Sequence, residues 1–239
     1  MRPSADVLAV VIGRAGSRGL PGKNALPVAG RPMVAWSVAH ALACPEIDRV
    51  VVSTDGDEIA DAARVAGADV IMRPAALATD TSSVIDAVRH AVASEAASAP
   101  SVVVILYANV PVRPAGLAGE AVRTLRAHAA DSVQSYADVG KHHPAWMVRL
   151  EGPEGRVEPL QPDAPDRRQE LPSLHLPDGG VIAVRSELLS AGPHPHAFLG
   201  TRRLGIVTPP GSVVDVDDAG DLARARALLE PDTPLGSPR

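Results

Sequence analysis

The segment from Val10 to Asn24, VVIGRAGSRGLPGKN, limits what this chain can fold into more than any other. The apolar run Val7-Leu8-Ala9-Val10-Val11-Ile12 has the length and β-branched content of a buried strand, and it breaks into a loop with glycines at 13, 16, 19 and 22. Residues free of Cβ can turn backbone N–H groups toward an anion, while Arg14, Arg18 and Lys23 bring positive charge to the same place. The loop reads as a polyphosphate cradle; the competing reading is a flexible basic surface loop. Its position after a first strand favours the cradle, because open parallel sheets bind ligands at the carboxyl ends of their strands. Two familiar phosphate motifs do not fit. A P-loop would have glycine where Ser17 stands and Ser or Thr in place of Asn24, and the dinucleotide fingerprint would have glycine in place of Ala15.

Strand and helix patterns alternate after the cradle. A helix over Met33 to Ala43 follows Pro32, then a strand over Arg49 to Ser53, a helix over Asp57 to Ala66 stopped by Gly67, and a short strand Val70-Ile71-Met72. Ser82 or Ser83 can cap a helix with the stripe Val84, Ile85, Val88 and Val92, and Val102 to Leu106 is apolar enough to be buried on both faces. A helix near Leu117 to His128 and a strand near Ser132 to Ala137 continue the alternation, so the fold class is α/β with a mostly parallel sheet and helices on both faces. From Gly140 to Pro177 the rhythm fails. Two extended pieces, Trp146 to Leu150 and Arg156 to Leu160, flank a Gly/Pro/Glu turn and read as an arm standing off the sheet. Sheet patterns return at Gly180 to Val184 and Leu204 to Thr208, and a helix over Ala219 to Leu229 closes a single domain spanning 1–230, with 231–239 as a disordered tail.

Composition excludes several functions. Aromatic residues make up 2% of the chain and the net charge is −5, which argues against base stacking, nucleic-acid binding and attachment to anionic membranes. The single cysteine, Cys44, rules out an intrachain disulfide and suits a reducing compartment. With no apolar run of membrane-spanning length and no signal-peptide pattern, the expected location is the cytoplasm. His142-His143 and His194-Pro195-His196 lack the partners of a zinc site, and no Gly-x-Ser-x-Gly elbow is present for a serine hydrolase.

Three constellations carry chemistry. Alternation along Val214-Asp215-Val216-Asp217 puts both carboxylates on one face of an extended segment, where they can share magnesium; the alternative is that Asp217 or Asp218 caps the last helix. Arg73-Pro74 and Ser82-Ser83 follow the third strand, at the same sheet edge as the cradle. They offer a guanidinium and small hydroxyls to a base or ribose, or else a solvated arginine and a helix cap. Arg167-Arg168-Gln169 in the arm could grip a carboxylate bidentately or form an exposed basic turn.

Taken together these residues resemble the CMP-sugar cytidylyltransferases typified by acylneuraminate cytidylyltransferase. The resemblance is carried by Gly13 to Asn24, by Val51-Val52-Ser53-Thr54-Asp55-Gly56, by Arg73 to Thr81, by His142-His143-Pro144, by Arg168-Gln169-Glu170-Leu171-Pro172 and by Asp215-Val216-Asp217. It implies a Rossmann-like three-layer nucleotidyltransferase fold, and CTP held by Arg14, Gly16, Ser17, Lys23 and Asn24, with Arg73, Ser82 and Ser83 around the cytidine. Asp215 and Asp217 would bind Mg2+, and Arg168 with Gln169 would meet an acidic sugar. The arm at about 140–177 would pair two subunits into a homodimer. The implied reaction is in-line attack of the sugar's anomeric hydroxyl on the α-phosphorus of CTP, with Arg14, Lys23, Asp215 and Asp217 as the catalytic group. A 3-deoxy-manno-octulosonate cytidylyltransferase and an inactive nucleotide-binding homologue are the rival readings. Among the departures from the family pattern, Tyr107 stands where its glutamine would touch the sugar, Asn109 stands where it has threonine, and the lysine that some members carry after His-His-Pro falls near Trp146.

Overall fold

In the computed structural model, which describes residues 7–16, 19–79, 81–95, 99–192 and 194–230, Val7–Ile12 forms β1 and is buried along its whole length. A two-strand clip, β2 (Pro27–Val28) and β3 (Arg31–Pro32), follows the glycine loop, and α1 (Met33–Leu42) leads to β4 (Arg49–Thr54). Next come α2 (Asp57–Val65), β5 (Asp69–Met72), α3 (Val84–Ser94), β6 (Val102–Tyr107), α4 (Leu117–Ala127) and β7 (Ser132–Asp138). The arm contributes the hairpin β8 (Val148–Glu151) and β9 (Arg156–Pro159), after which β10 (His175–Arg185), β11 (Arg203–Val207) and α5 (Ala219–Leu229) complete the order.

The main sheet has seven strands in the order β11-β7-β10-β6-β1-β4-β5. β10 runs antiparallel to both neighbours and the remaining pairs are parallel. Chain order moves outward from β1 through β4 to β5, then returns to place β6 on the other side of β1. The carboxyl ends of β1 and β6 therefore form a topological switch point, the crevice where such sheets receive ligands.

Alternation along β1 explains the three layers. Val7, Ala9 and Val11 face α1, α2 and α4 through Val34, Val38, Ile59, Leu117 and Val122. Leu8, Val10 and Ile12 face α3 and the turns near Leu189 and Phe198. Because both faces are covered, the central strands are apolar throughout rather than alternating. The expected helices and strands all form, with shifts at their ends. β10 starts at His175, five residues ahead of the expected Gly180, because its first part pairs with β7 alone across a register shift between Pro177 and Ile182. Trp146 and Met147 precede β8 rather than lying in it, since Pro144–Trp146 turns as a single 3-10 segment. The β2/β3 clip is too short to announce itself by periodicity. The tail from 231 lies outside the described residues.

One half-buried group gives a pH dependence of stability. His40 packs between α1 and α4, its Nε2 accepting the Ala118 N–H at 3.4 Å, and burial, helped by the charge of Arg113, pulls its pKa from 6.5 down to about 4. The unfolded chain takes up this proton near pH 6.5 while the folded chain resists it, so the stability present above pH 6.5 falls as the pH drops toward 4. The loss is expected to reach roughly 3 kcal/mol at full proton uptake. His40→Gln is expected to flatten this component, read as urea midpoints of the two proteins compared at pH 7.5 and 5.

Candidate active site

The glycine loop is docked rather than loose. Gly13 N–H donates to Ser53 O at 3.2 Å, continuing the β1–β4 pairing into the loop, and a Cβ at Gly13 would lie 2.9 Å from that of Ala108. The Ala15 N–H donates to Asp55 Oδ1 at 2.9 Å. Asn24, itself 4% exposed, donates from Nδ2 to Arg14 O at 2.9 Å and closes the loop on itself, while its Oδ1 is buried without a partner among the described residues. At Gly19 a Cβ would come within 2.4 Å of the Asp217 carbonyl, so only glycine lets the loop meet the segment that carries the two aspartates.

That segment reaches the switch point by pairing with the loop after β6. Val214 bridges Val112, and Val216 N–H donates to Asn109 O at 2.8 Å. Val214 and Val216 are buried and Asp215 and Asp217 face outward, the alternation read from the sequence. Lys23 Nζ donates to Val216 O at 2.9 Å and to Asp217 Oδ1 at 2.6 Å, and Asn109 Nδ2 donates to Asp215 Oδ1. Burial, and then the charge of Asp217, push the Asp215 carboxyl up to about 6. Two carboxylates under this strain are relieved by a cation, and their oxygen donors suit Mg2+, which commonly takes one or two carboxylates and completes its shell with phosphates and water. No group of three or more His, Cys, Asp or Glu that could hold a metal occurs among the described residues. Asp218 has a different job. Its carboxylate accepts the Gly220 and Asp221 N–H groups at 2.7 and 2.9 Å and forms a capping box with Asp221 on α5.

Between these elements lies a cleft of about 290 Å³ lined by Gly13, Arg14, Lys23, Asn24, Arg73, Thr79, Ser82, Ser83, Tyr107 and Asn109 among others. Arg73 is buried at 8% exposure, its Nη2 donating to Gly13 O at 3.0 Å. Burial depresses the guanidinium pKa, with Asp55 opposing and the nearby Arg14 adding to the shift. Ser82 Oγ ties the loop before α3 through Thr79, and Ser83 caps α3 by accepting the Ile85 N–H at 3.2 Å, so the helix-cap reading of the pair holds at Ser83. Tyr107 ends β6 half-buried, its phenol pKa raised by burial and by Asp215.

The sequence-derived set is thus gathered in one place with exceptions. Ser17 lies outside the described residues. Gly16 borders open space and does not line the cleft. Arg168 and Gln169 line a separate hollow of about 210 Å³ in the arm, where Arg168 Nη2 pairs with Asp138 Oδ1 at 3.2 Å, so within one chain they do not join the cleft. Sequence reasoning missed Asp55 and Arg113. Arg113 lies under the cleft floor, donating to Tyr107 O at 2.9 Å, Gly180 O at 2.7 Å and Ser37 Oγ at 2.8 Å; burial lowers its pKa to about 9 against the pull of Asp215 and Asp178. Asp55 sits inside Val51 to Gly56, a stretch that carries the family resemblance, which was the available signal; Arg113 lies in none of those stretches.

A family model described as cytidylyltransferase matches residues 8–145, more than half of the chain. The chain is 29% identical over 218 residues to the N-acylneuraminate cytidylyltransferase A of Danio rerio, a match that covers 90% of this chain and 49% of that one. It is 48% identical over 83 residues to the CMP-N,N'-diacetyllegionaminic acid synthase of Legionella pneumophila, covering 34% of this chain and 36% of that protein. Among solved structures it resembles a CMP:2-keto-3-deoxy-manno-octonic acid synthetase complexed with CTP, at 19% identity and a TM-score of 0.71, covering 95% of this chain and 100% of that chain. The chain spans about half the length, or less, of these curated relatives. No helix among the described residues is long and apolar enough to cross a membrane.

Proposed function

From the premise that this chain belongs to the cytidylyltransferase family, we propose that it transfers the cytidylyl group of CTP to an acidic α-keto sugar, a sialic acid or related nonulosonate, releasing pyrophosphate. The observation that carries the reading is the convergence of Arg14, Lys23 and Asn24 on one cleft at the switch point, with Asp217 and Asp215 bonded to Lys23 and Asn109 of its lining. In this reading the triphosphate lies along the glycine loop, and the cytidine faces Arg73, Ser82 and Ser83. Arg14 and Lys23 stabilise the negative charge that develops as the sugar hydroxyl attacks the α-phosphorus and pyrophosphate leaves. Such a transfer asks the protein mainly for positioning and charge compensation. Asp215 and Asp217 would hold Mg2+, which when bound supplies further charge neutralisation at the phosphates. An inactive binder has no use for a carboxylate pair poised beside the loop lysine, which disfavours that alternative.

The acceptor site is completed, in this reading, by a second copy of the chain. Support comes from the arm: β8 and β9 are exposed along their length, with Leu150 at 70% and Val157 at 60%, an apolar load that a lone hairpin has no reason to carry. Pairing through this arm would bring the partner's counterpart of Arg168, a planar fork suited to a carboxylate, to a cleft from which its own chain keeps it away.

Tyr107 sets the expectation for the sugar. An aromatic ring beside Asn109 alters the pocket that a glutamine would shape, and the strong local similarity to a diacetyllegionaminic acid synthase supports a substrate other than ordinary N-acetylneuraminate. Pyrophosphate release from CTP with N-acetylneuraminate, its bacterial diamino relatives and 3-deoxy-manno-octulosonate tests function and specificity together. The expected result is the highest kcat/KM for a diamino nonulosonate, with Tyr107→Gln moving the preference toward N-acetylneuraminate. Preference of the wild type for N-acetylneuraminate would make Tyr107 a tolerated substitution, preference for the eight-carbon acid would favour the octulosonate reading, and no release with any sugar would remove the activity.

A further inference from the structure

Asp55, at the carboxyl end of β4, takes no part in the reading above, yet it stands where the two halves of that site meet. One of its oxygens, Oδ1, accepts the Ala15 N–H at 2.9 Å and lies 3.6 Å from Nη2 of Arg73. The same guanidinium donates to Gly13 O at 3.0 Å. The first turn of the phosphate loop is therefore held at two points by opposite charges, its carbonyl at 13 by Arg73 and its amide at 15 by Asp55. Backbone contacts tighten the junction. Arg73 N–H donates to Thr54 O at 2.6 Å, and a Cβ on Gly56 would lie 2.9 Å from that of Ala15, so the loop rests directly on the turn that carries Asp55.

Two alternatives for Asp55 are weaker. It is not a cap of α2, whose N-cap is Gly56 with no side-chain cap, the Gly56 N–H being taken by Thr54 Oγ1 at 3.1 Å. Nor is it a surface partner for a solvated arginine, since the Arg73 side chain is 5% exposed and that of Asp55 22%. A guanidinium buried that deeply needs a nearby opposite charge. The second guanidinium of the cleft, Arg14, acts on it with the wrong sign.

We propose that Asp55 is a positioning residue that couples the base half of the nucleotide site to its phosphate half, fixing Arg73 beside the cytosine and fixing the loop turn that presents Arg14 to the phosphates. The inference rests on the cytidylyl-transfer reading and goes one step past it. Base and phosphates are then served by one side chain through two separable contacts, Asp55 with Arg73 on the base side and Asp55 with the Ala15 amide on the phosphate side.

The test separates the two contacts. Asp55→Asn keeps an oxygen for the Ala15 N–H but removes the charge beside Arg73; Asp55→Ala removes both. Calorimetric titrations of the full chain with CTP, with CMP and with inorganic triphosphate are expected to show CMP binding weakened on the order of tenfold in Asp55→Asn, with triphosphate binding close to that of the wild type. In Asp55→Ala both ligands are expected to weaken. Steady-state assays should place the Asp55→Asn defect in the KM for CTP rather than in kcat, and in an Arg73→Gln background Asp55→Asn should add little further loss. If Asp55→Ala does not fold, the near-isosteric Asp55→Asn and the Arg73→Gln cycle decide alone. CMP binding by Asp55→Asn equal to the wild type, equal loss of both ligands in that variant, or full additivity with Arg73→Gln would each overturn the coupling. A wild-type chain that binds no CTP overturns the cytidylyl-transfer reading and the coupling with it; CTP binding by the wild type and an indistinguishable Asp55→Asn overturn the coupling alone.

Discussion

Lys23→Ala and Arg14→Ala are each expected to lower kcat/KM for CTP by about 10²-fold or more, with the fold intact. That loss corresponds to about 2.7 kcal/mol of transition-state stabilisation. The two residues reach the effect differently. Lys23 spans the loop and the aspartate segment, its ammonium bonded to Val216 O and Asp217 Oδ1, and its side chain is 13% exposed. Removing it takes a cation from the triphosphate path and also leaves Asp217 without its counter-charge, so a part of the damage should appear as altered metal dependence. Arg14 lines the cleft and places a second positive charge near the buried Arg73. Its loss should leave metal dependence alone and fall on the chemical step. Pyrophosphate release measured against CTP and magnesium concentration distinguishes the two, with circular dichroism melting as the control for folding. Turnover near that of the wild type in both variants would remove the glycine loop from the mechanism.

Much of this site was legible in the chain because its parts are local. The strand that breaks into glycines, the Val-Asp-Val-Asp alternation and the Ser83 cap are each specified within a few residues, and each formed as read. What the chain did not disclose depends on pairings between distant segments. Asp55 and Ala15 are forty positions apart, and nothing in either stretch says that the amide of one meets the carboxylate of the other. Arg113 reads as an ordinary arginine before Pro114, yet its guanidinium is committed to carbonyls at Tyr107 and Gly180. The early start of β10 was invisible for a related reason. His175, Leu176 and Pro177 pair only with β7 and are exposed on their free side, so they lack the apolar continuity by which the buried half of the strand announces itself. Arg168 marks the opposite case, a residue singled out by its motif that a single chain does not bring to the cleft.

The adjacent carboxylates Asp217 and Asp218 are expected to fail in different ways, and the contrast tests the magnesium assignment. Asp217→Asn keeps the volume but removes a charged oxygen ligand, the partner of Lys23 and the like charge that helps raise the Asp215 carboxyl to about 6. The expected result is a magnesium requirement raised at least ~10-fold, or no turnover, matched by weakened Mn2+ binding in calorimetry with CTP present. Asp218→Ala should leave the metal requirement unchanged and lower stability by about 1 kcal/mol through loss of the α5 cap. Protons compete with the cation at Asp215, so below pH about 6 the metal affinity of the wild type should fall. In Asp217→Asn that fall should begin at lower pH, because the neighbouring negative charge that raises the Asp215 pKa is gone. Full wild-type activity in excess chelator would break the assignment at its root. An unchanged metal requirement in Asp217→Asn would confine the ion, if one acts, to Asp215 and the phosphates, and would leave Asp217 the narrower task of holding Lys23 in the cleft until the nucleotide arrives.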